Sequence, residues 1–486
     1  MRAFIASSIG VTCAAVLVLP SAVPAGAAAD TSTAPAESAE PSSGAADPTG
    51  STEPSDVPGS TQSLPMSPLP EASGRATDEP SRTAEAAEQG LLEREVRPFS
   101  LVGVVWNDAD TELRGTVQVR TRAIGTTRWS DWQDLETHNA EHGADPGTAE
   151  RESGTVRGST APLWVGESDG VAVRVRPETS DPQDRTSPAV PLPAGLRLEL
   201  VDPGKDPQQP PAAGAEADAG KTGKTGNTGD TGDSGYTGDA RGTADISEAD
   251  GHTAPLEPSV LPALSKQETE ALGEAEAGLA PGAQPYIGPR PRIITRTGWG
   301  ADEKIRQGAF VYTKSVKAAF IHHSATGNNY TCSQAPSVLR GIYRYHVQSS
   351  GWRDIGYNFA VDTCGNIYEG RAGGVTKAVL GAHTLGFNTN SMGIAVLGTF
   401  TSSNPPAAAV NAVAKLTAWK LGLFGADPRG KVTLVSGGGN KFKKGTKAEL
   451  NVISGHRDGF ATECPGARLY KKLGSARTTS AQLQGR

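Results

Sequence analysis

Two long stretches of this chain are too poor in apolar residues to bury a core, and they dictate where folded domains can lie. From Asp30 to about Gly90 the residues are mainly Ala, Ser, Thr, Pro and Glu, with almost no aromatic or β-branched aliphatic side chains. A second such stretch runs from Asp202 to about Pro285. Neither can offset chain entropy by burial, so both (30–90 and 202–285) are expected as disordered spacers. Within the second, KTGKTGNTGDTGDSGYTG (221–238) puts glycine at every third position, as collagen does. The triplets are few and lack proline, which favours a flexible linker. In a chain of 486 residues, globular composition is confined to 91–201 and to the residues from about Tyr286 onward.

The start of the chain has its own pattern: Arg2, an apolar run from Ile9 to Leu19, and A-x-A patterns around Ala25 to Ala29. This is the layout of a secretory signal peptide over 1–29. The run is too short to span a bilayer, and no later stretch approaches roughly 20 apolar residues, so a soluble secreted protein without a transmembrane segment is expected. There is no twin-arginine pair, which points to the general secretory route. Cys13 lies inside the apolar run and matches a lipid-attachment site poorly.

Residues 91–201 alternate in the manner of strands in TVQVRTR (116–122), GVAVRVR (170–176) and GLRLEL (195–200). Separated by Gly, Asp and Pro turns, they predict a small all-antiparallel β-sandwich with one wet face. Trp106, Trp129, Trp132 and Trp164 read as core anchors, with a carbohydrate-stacking platform as the alternative. The cluster Asn107, Asp108 and Asp110 lacks the ligand spacing and glycine of a calcium loop, so a solvated turn is expected.

Residues 286–475 read as a mixed α/β domain, with 476–486 as a tail. SVKAAFIHHS (315–324) predicts a buried strand ending in paired histidines, and PSVLRGIYRYHVQ (336–348) a helix with Pro336 in its first turn. YNFAVDTCGNIYEGR (357–371) predicts a hairpin, SMGIAVLG (391–398) a central strand, and PAAAVNAVAKLTAWKLGLFG (406–425) a helix closed by glycine. A mixed sheet flanked by helices follows.

Charge divides the chain. Residues 286–486 carry 26 Lys and Arg against 9 Asp and Glu, a balance of +17, within a chain whose net charge is −7. A basic surface concentrates polyanions. In a secreted chain without a nucleic-acid module, anionic envelope polymers are the expected partners rather than nucleic acid; the alternative is solvated lysines without a partner, as in KFKKGTK (441–447).

The segment SGHRDGFATECPG (454–466) offers a metal an imidazole, His456, and a thiolate, Cys464. A catalytic zinc keeps three protein ligands and one open position, and the best third ligand is in AAFIHHSAT (318–326). Spacing alone leaves open the alternative of unrelated histidines and an unrelated cysteine. Without Cys13, the cysteines are Cys332, Cys364 and Cys464, an odd number in an oxidising compartment. If Cys332 pairs with Cys364, Cys464 is left for a metal. A Cys464 nucleophile paired with histidine, as in papain-like enzymes, is weaker because no such signature surrounds it.

Taken together, IHHSAT (321–326), GWRDIGYNF (351–359), GNIYEGR (365–371), GAHTLGFNTNSMGIAVLG (381–398) and SGHRD…ECPG (454–466) resemble the peptidoglycan recognition protein and type-2 N-acetylmuramoyl-L-alanine amidase family, in order, over roughly the last 190 residues. The long secreted layout is similar to that of actinobacterial amidases. The resemblance implies His322, His456 and Cys464 as zinc ligands, with His323 excluded. It implies Tyr357 as an assistant to the attacking water, Thr462 at the position two before the cysteine, and His383 and Asn388 as muropeptide contacts. It implies a monomeric, cell-wall-associated hydrolase that cuts the bond between the lactyl group of N-acetylmuramic acid and L-alanine. Members that only bind peptidoglycan have usually lost the cysteine ligand, so recognition without turnover is the alternative. No HExxH glutamate is present, so the general base is not assigned.

Overall fold

Strand β11 of the carboxy-terminal domain, Ala318–His323, is fully buried and lies between two parallel neighbours. The computed structural model describes residues 59–70, 88–137, 139, 141–180, 188–206, 258–276 and 286–486. The expected signal peptide, most of both spacers and the glycine triplets lie outside the described residues. Among the described residues no helix is long and apolar enough to cross a membrane.

The amino-terminal domain is all-β and antiparallel. Its strands are β1 (Ser60–Pro65), β2 (Ser67–Pro68), β3 (Gln89–Trp106), β4 (Gly115–Ala123), β5 (Gln133–Leu135), β6 (Gly158–Ser159), β7 (Leu163–Pro177) and β8 (Arg197–Asp202). They form one sheet in the order β1-β8-β3-β7-β4-β5, with β2 and β6 both paired to β3. The alternation of β4 is the alternation of its burial: Val117, Val119 and Thr121 point inward, and Gln118 and Arg120 outward. Three register shifts along β3 bend it across β7. The domain starts earlier than its composition suggests. Ser60–Pro65, within the expected spacer, pairs along its whole length with β8, because backbone hydrogen bonds to an edge strand demand few apolar side chains. Trp106 and Trp164 are core residues as expected, but Trp129 and Trp132 are half-buried on the outer face, covered by the guanidinium groups of Arg120, Arg122 and Arg174. Asp108 accepts from the Asp110 amide and the Thr111 hydroxyl, a local turn.

The carboxy-terminal domain begins inside the second expected spacer, with β9 (Val260–Leu261) and helix α1 (Lys266–Glu276). There follow β10 (Ile293–Ile294), α2 (Arg296–Trp299), β11, α3 (Ala335–Arg344), β12 (Phe359–Val361), β13 (Ile367–Glu369), β14 (Ser391–Val396) and α4 (Ala407–Gly422). The chain finishes with β15 (Lys431–Val435), β16 (Lys447–Asn451), β17 (Ile453–Gly455), α5 (His456–Gly459), α6 (Ala467–Tyr470) and α7 (Leu473–Gln484). The mixed sheet runs β17-β11-β14-β12-β13-β10-β9, with β15 and β16 as a separate hairpin. Pro336 sits in the first turn of α3, and a disulfide from Cys332 to Cys364 ties the approach to α3 to the β12–β13 turn, with Cα atoms 6.1 Å apart. The expected tail 476–486 is instead mostly helix α7: Ala476, Ser480, Ala481 and Gln484 are buried, and Thr417 of α4 donates to Ser480. Its small residues allow close helix packing that a count of large apolar side chains does not reveal.

The two domains share a core. Leu101, Val105, Trp164 and Val201 pack with Val338, Leu339, Ile342 and Tyr345. The Tyr345 hydroxyl, on a π-helical turn at 345–349, lies 3.2 Å from the Val104 carbonyl and 3.0 Å from that of Thr160. A side chain at Gly103 would collide with the Tyr345 ring, so glycine there permits the contact.

Candidate metal centre

Strand register alone sets two of the candidate ligands side by side. In the β11–β17 ladder Ile321 pairs with Gly455, so the next residues, His322 and His456, leave adjacent parallel strands at their carboxyl ends, where open α/β sheets place their ligands. His322 and His323 point to opposite faces, as strand alternation requires. The His323 Nε2 turns to Glu136 of the amino-terminal domain at 3.6 Å. After α5 the chain loops back, and the Arg457 amide donates to the Cys464 carbonyl at 3.0 Å. This sets the Cys464 Sγ 3.7 Å from the His322 Nδ1. Zinc–nitrogen and zinc–sulfur bonds of about 2.0–2.3 Å at tetrahedral angles separate nitrogen and sulfur ligands by roughly 3.5 Å, so this contact matches one edge of such a shell.

A fourth residue joins them. His142, from the loop between β5 and β6 of the amino-terminal domain, has a ligating atom within the same set, and the four atoms offered by His142, His322, His456 and Cys464 lie within 4.8 Å of one another. The His142 ring stands 4.5 Å from that of His456 and 5.2 Å from that of His322. All four residues are buried; His322 and His456 are 0 % exposed, Cys464 is 1 % and His142 is 7 %. Neither ring nitrogen of His142 nor of His456 makes a hydrogen bond. Leaving such groups unpaired is costly, and a cation at their centre would satisfy one nitrogen of each ring. A set of three imidazoles and one thiol suits zinc. Burial pushes His322 and His456 well below the ordinary histidine value, pushes His142 down to about 3, and pushes the Cys464 thiol up. The imidazoles are therefore neutral, the form that ligates.

The surrounding residues divide into those that orient and those that cover. The His322 Nε2 lies 3.4 Å from the Thr384 hydroxyl, which is 3.0 Å from the His383 Nδ1. This outer partner fixes the ring with Nδ1 toward the sulfur. Tyr357 packs with its ring 5.4 Å from His322 and 5.9 Å from His142. Burial, with the nearby Cys464 and Glu141, pushes its phenol well above the ordinary value, so it keeps its proton. His383 and Asn388, expected to face muropeptide, are 0 % and 1 % exposed. His383 packs against Gly393, where a side chain would strike its ring. The Asn388 Oδ1 accepts from the His383 and Thr384 amides at 2.7 and 3.0 Å. Thr462 donates to the Glu141 Oε1 at 2.7 Å and accepts from the Cys464 amide at 3.1 Å.

The structure therefore brings His322, His456, Cys464, Tyr357 and Thr462 to one place, with His383 and Asn388 behind and beside them. No sequence motif marks His142 or the acidic loop around it, Glu141, Asp145 and Glu150. A histidine in an acidic, glycine-bearing loop of a β-domain was the available signal, but it carries no motif. Arg371 donates to both carboxylate oxygens of Glu150 in a two-pronged ion pair at 2.8 and 2.9 Å.

Comparison with known proteins bears on each domain. Residues 312–467 match the family described as N-acetylmuramoyl-L-alanine amidase, and residues 48–194 match the one described as Rv3811 N-terminal galactose-binding domain-like. Peptidoglycan-recognition protein SC2 of Drosophila melanogaster is 33 % identical over 183 residues, which cover 37 % of this chain and 84 % of that protein. N-acetylmuramoyl-L-alanine amidase of Homo sapiens is 29 % identical over 187 residues, 38 % of this chain and 28 % of that one. Among solved structures, wild-type Drosophila PGRP-LB aligns over 38 % of this chain and 92 % of its own, at 28 % identity and a TM-score of 0.30.

Proposed function

The chain belongs to the peptidoglycan recognition protein and type-2 amidase family, and from that premise we propose that it is a secreted, cell-wall-associated zinc N-acetylmuramoyl-L-alanine amidase acting on peptidoglycan. The observation that carries this reading is the convergence of His322, His456 and a free, buried Cys464 on one point. Cys332 and Cys364 are joined to each other, which leaves the third sulfur for a metal. His322 Nδ1, a ring nitrogen of His456 and the Cys464 Sγ would hold the ion. When bound, zinc supplies a Lewis acid for the amide carbonyl and makes water nucleophilic near neutral pH, its pKa falling to about 7.

The protein's own groups do the rest. Tyr357, protonated at neutral pH because of its burial, can donate to the oxygen that becomes negative as the amide is attacked. Thr462, two residues before the cysteine, offers a second hydroxyl from the same rim. Thr384 holds the His322 ring against rotation. Buried apolar walls from Tyr357 and Ala395 exclude bulk water and strengthen each of these interactions.

The test is a digest of purified cell wall followed by mass spectrometry. Release of stem peptides beginning with free L-alanine, abolished by chelation and restored by zinc, is the expected result. Binding without release under all metal conditions would instead make the chain a recognition protein.

A further inference from the structure

A catalytic metal needs an open position, yet the three proposed ligands are 0–1 % exposed. The amino-terminal domain takes part in closing the site. His142 reaches it from the amino-terminal domain with both ring nitrogens unpartnered, and its ligating atom lies with those of the other three. Four protein ligands are the mark of a closed metal site, and three with a vacancy that of a catalytic one.

The segment carrying His142 also occupies the groups around the metal. Glu141 accepts the Thr462 hydroxyl, and its carbonyl accepts the Leu385 amide at 2.9 Å. Asn388 Nδ2 is spent on the Gly143 carbonyl at 2.8 Å and on the Asp145 Oδ1 at 2.7 Å, and the same Oδ1 takes the Gly386 amide at 2.7 Å. Glu150 takes the Arg371 guanidinium and the Arg353 amide at 3.1 Å. Three carboxylates thus sit on a threonine hydroxyl, an amide cluster and a buried arginine, groups that an anionic peptide entering the site would otherwise engage.

We propose that His142 is a fourth protein ligand to the metal and that residues 141–150 form a plug, so that the amino-terminal domain holds the hydrolase in a latent state. This rests on the zinc-site reading given above. Turnover then requires the plug to withdraw, which vacates one metal position and frees Thr462, Asn388 and Arg371 together. The occupant is a segment of the same chain, so latency does not depend on concentration.

The test uses the full chain loaded with zinc, studied by X-ray absorption, and with cobalt, studied by its visible spectrum in the presence of azide. The expected result is three imidazoles and one sulfur in the wild type, and two imidazoles, one sulfur and one oxygen in His142→Ala. Azide should alter the cobalt spectrum of the variant and leave that of the wild type unchanged, and cell-wall hydrolysis by the variant should rise at least tenfold. Should His142→Ala fail to fold, Glu150→Gln and Asp145→Asn retain His142 but loosen the loop, and each should gain azide sensitivity. Two imidazoles and azide sensitivity in the wild type, unchanged in all variants, would overturn the plug while leaving the zinc site standing. Absence of metal binding in the wild type would overturn both.

Discussion

Replacing Glu150 with Gln tests the docking of the acidic loop at the point where the most is at stake. Glu150 and Arg371 have side chains 9 % and 8 % exposed and meet through two hydrogen bonds. Breaking a buried pair by removing one charge costs about 3–5 kcal/mol, because the other charge is left uncompensated. Here the loss is smaller: the glutamine oxygen still accepts one bond, and Arg371 keeps the Ile355 carbonyl at 2.9 Å. About 2–3 kcal/mol remains, equivalent to a rise of roughly 30- to 150-fold in the undocked fraction of the loop. The reporters are on the opposite side of the interface: the Leu385 and Gly386 amides donate only to Glu141 and Asp145 of the loop. Hydrogen exchange at these two amides should accelerate by that factor. As a control, Glu449→Gln removes an exposed pair with Lys431, whose side chains are 67 % and 62 % exposed, and should change nothing measurable. Exchange at Leu385 and Gly386 within twofold of wild type in Glu150→Gln would show that this buried pair does not hold the loop.

Three further outcomes are expected. Cys464→Ala should remain folded, since Cys464 is outside the disulfide, but should weaken zinc binding by more than the roughly 10- to 100-fold typical of losing an outer-shell partner; metal analysis after dialysis measures it. Tyr357→Phe should keep its zinc and lose about 10²–10³ in turnover if the phenol stabilises the developing oxyanion, and unchanged turnover would remove it from the mechanism. For pH, burial raises the Glu150 carboxyl but Arg371 and Arg353 together more than offset it, so its docked value lies below the ordinary 4.5. A lowered docked value means a contribution that is full above about 4.5 and is lost as pH falls through the lowered value; protection of Leu385 and Gly386 should decline there, and Glu150→Gln should lack that component.

Much of the carboxy-terminal domain was legible from pattern. The helix near Pro336, the hairpin around Gly365 and the central strand at 391–396 lie where apolar spacing put them. The grouping of His322, His456 and Cys464 in space was reachable because the family motifs bracket these residues. The alternation of β4 and β7 likewise announced an antiparallel sheet. The edges of the domains were not legible. Strand β1 and helix α7 are built from Ser, Gln, Ala and Thr, whose contribution comes from backbone pairing and close approach rather than from large apolar side chains.

Residue order is enough to place an all-β region ahead of a mixed α/β one and to single out one thiol and two imidazoles as candidate metal ligands. Those conclusions follow from local periodicity and from chemistry carried by single residues. The sharing of a core by the two domains, the outward placement of Trp129 and Trp132 beneath arginines, and the position of His142 beside His322, His456 and Cys464 come from the packing alone. His142 and His322 are 180 positions apart in separate domains, and no periodicity or motif connects them. Their meeting is set by how the β5–β6 loop emerges from one sheet and how the carboxyl ends of β11 and β17 emerge from the other, a property of packing between surfaces that residue order does not encode locally.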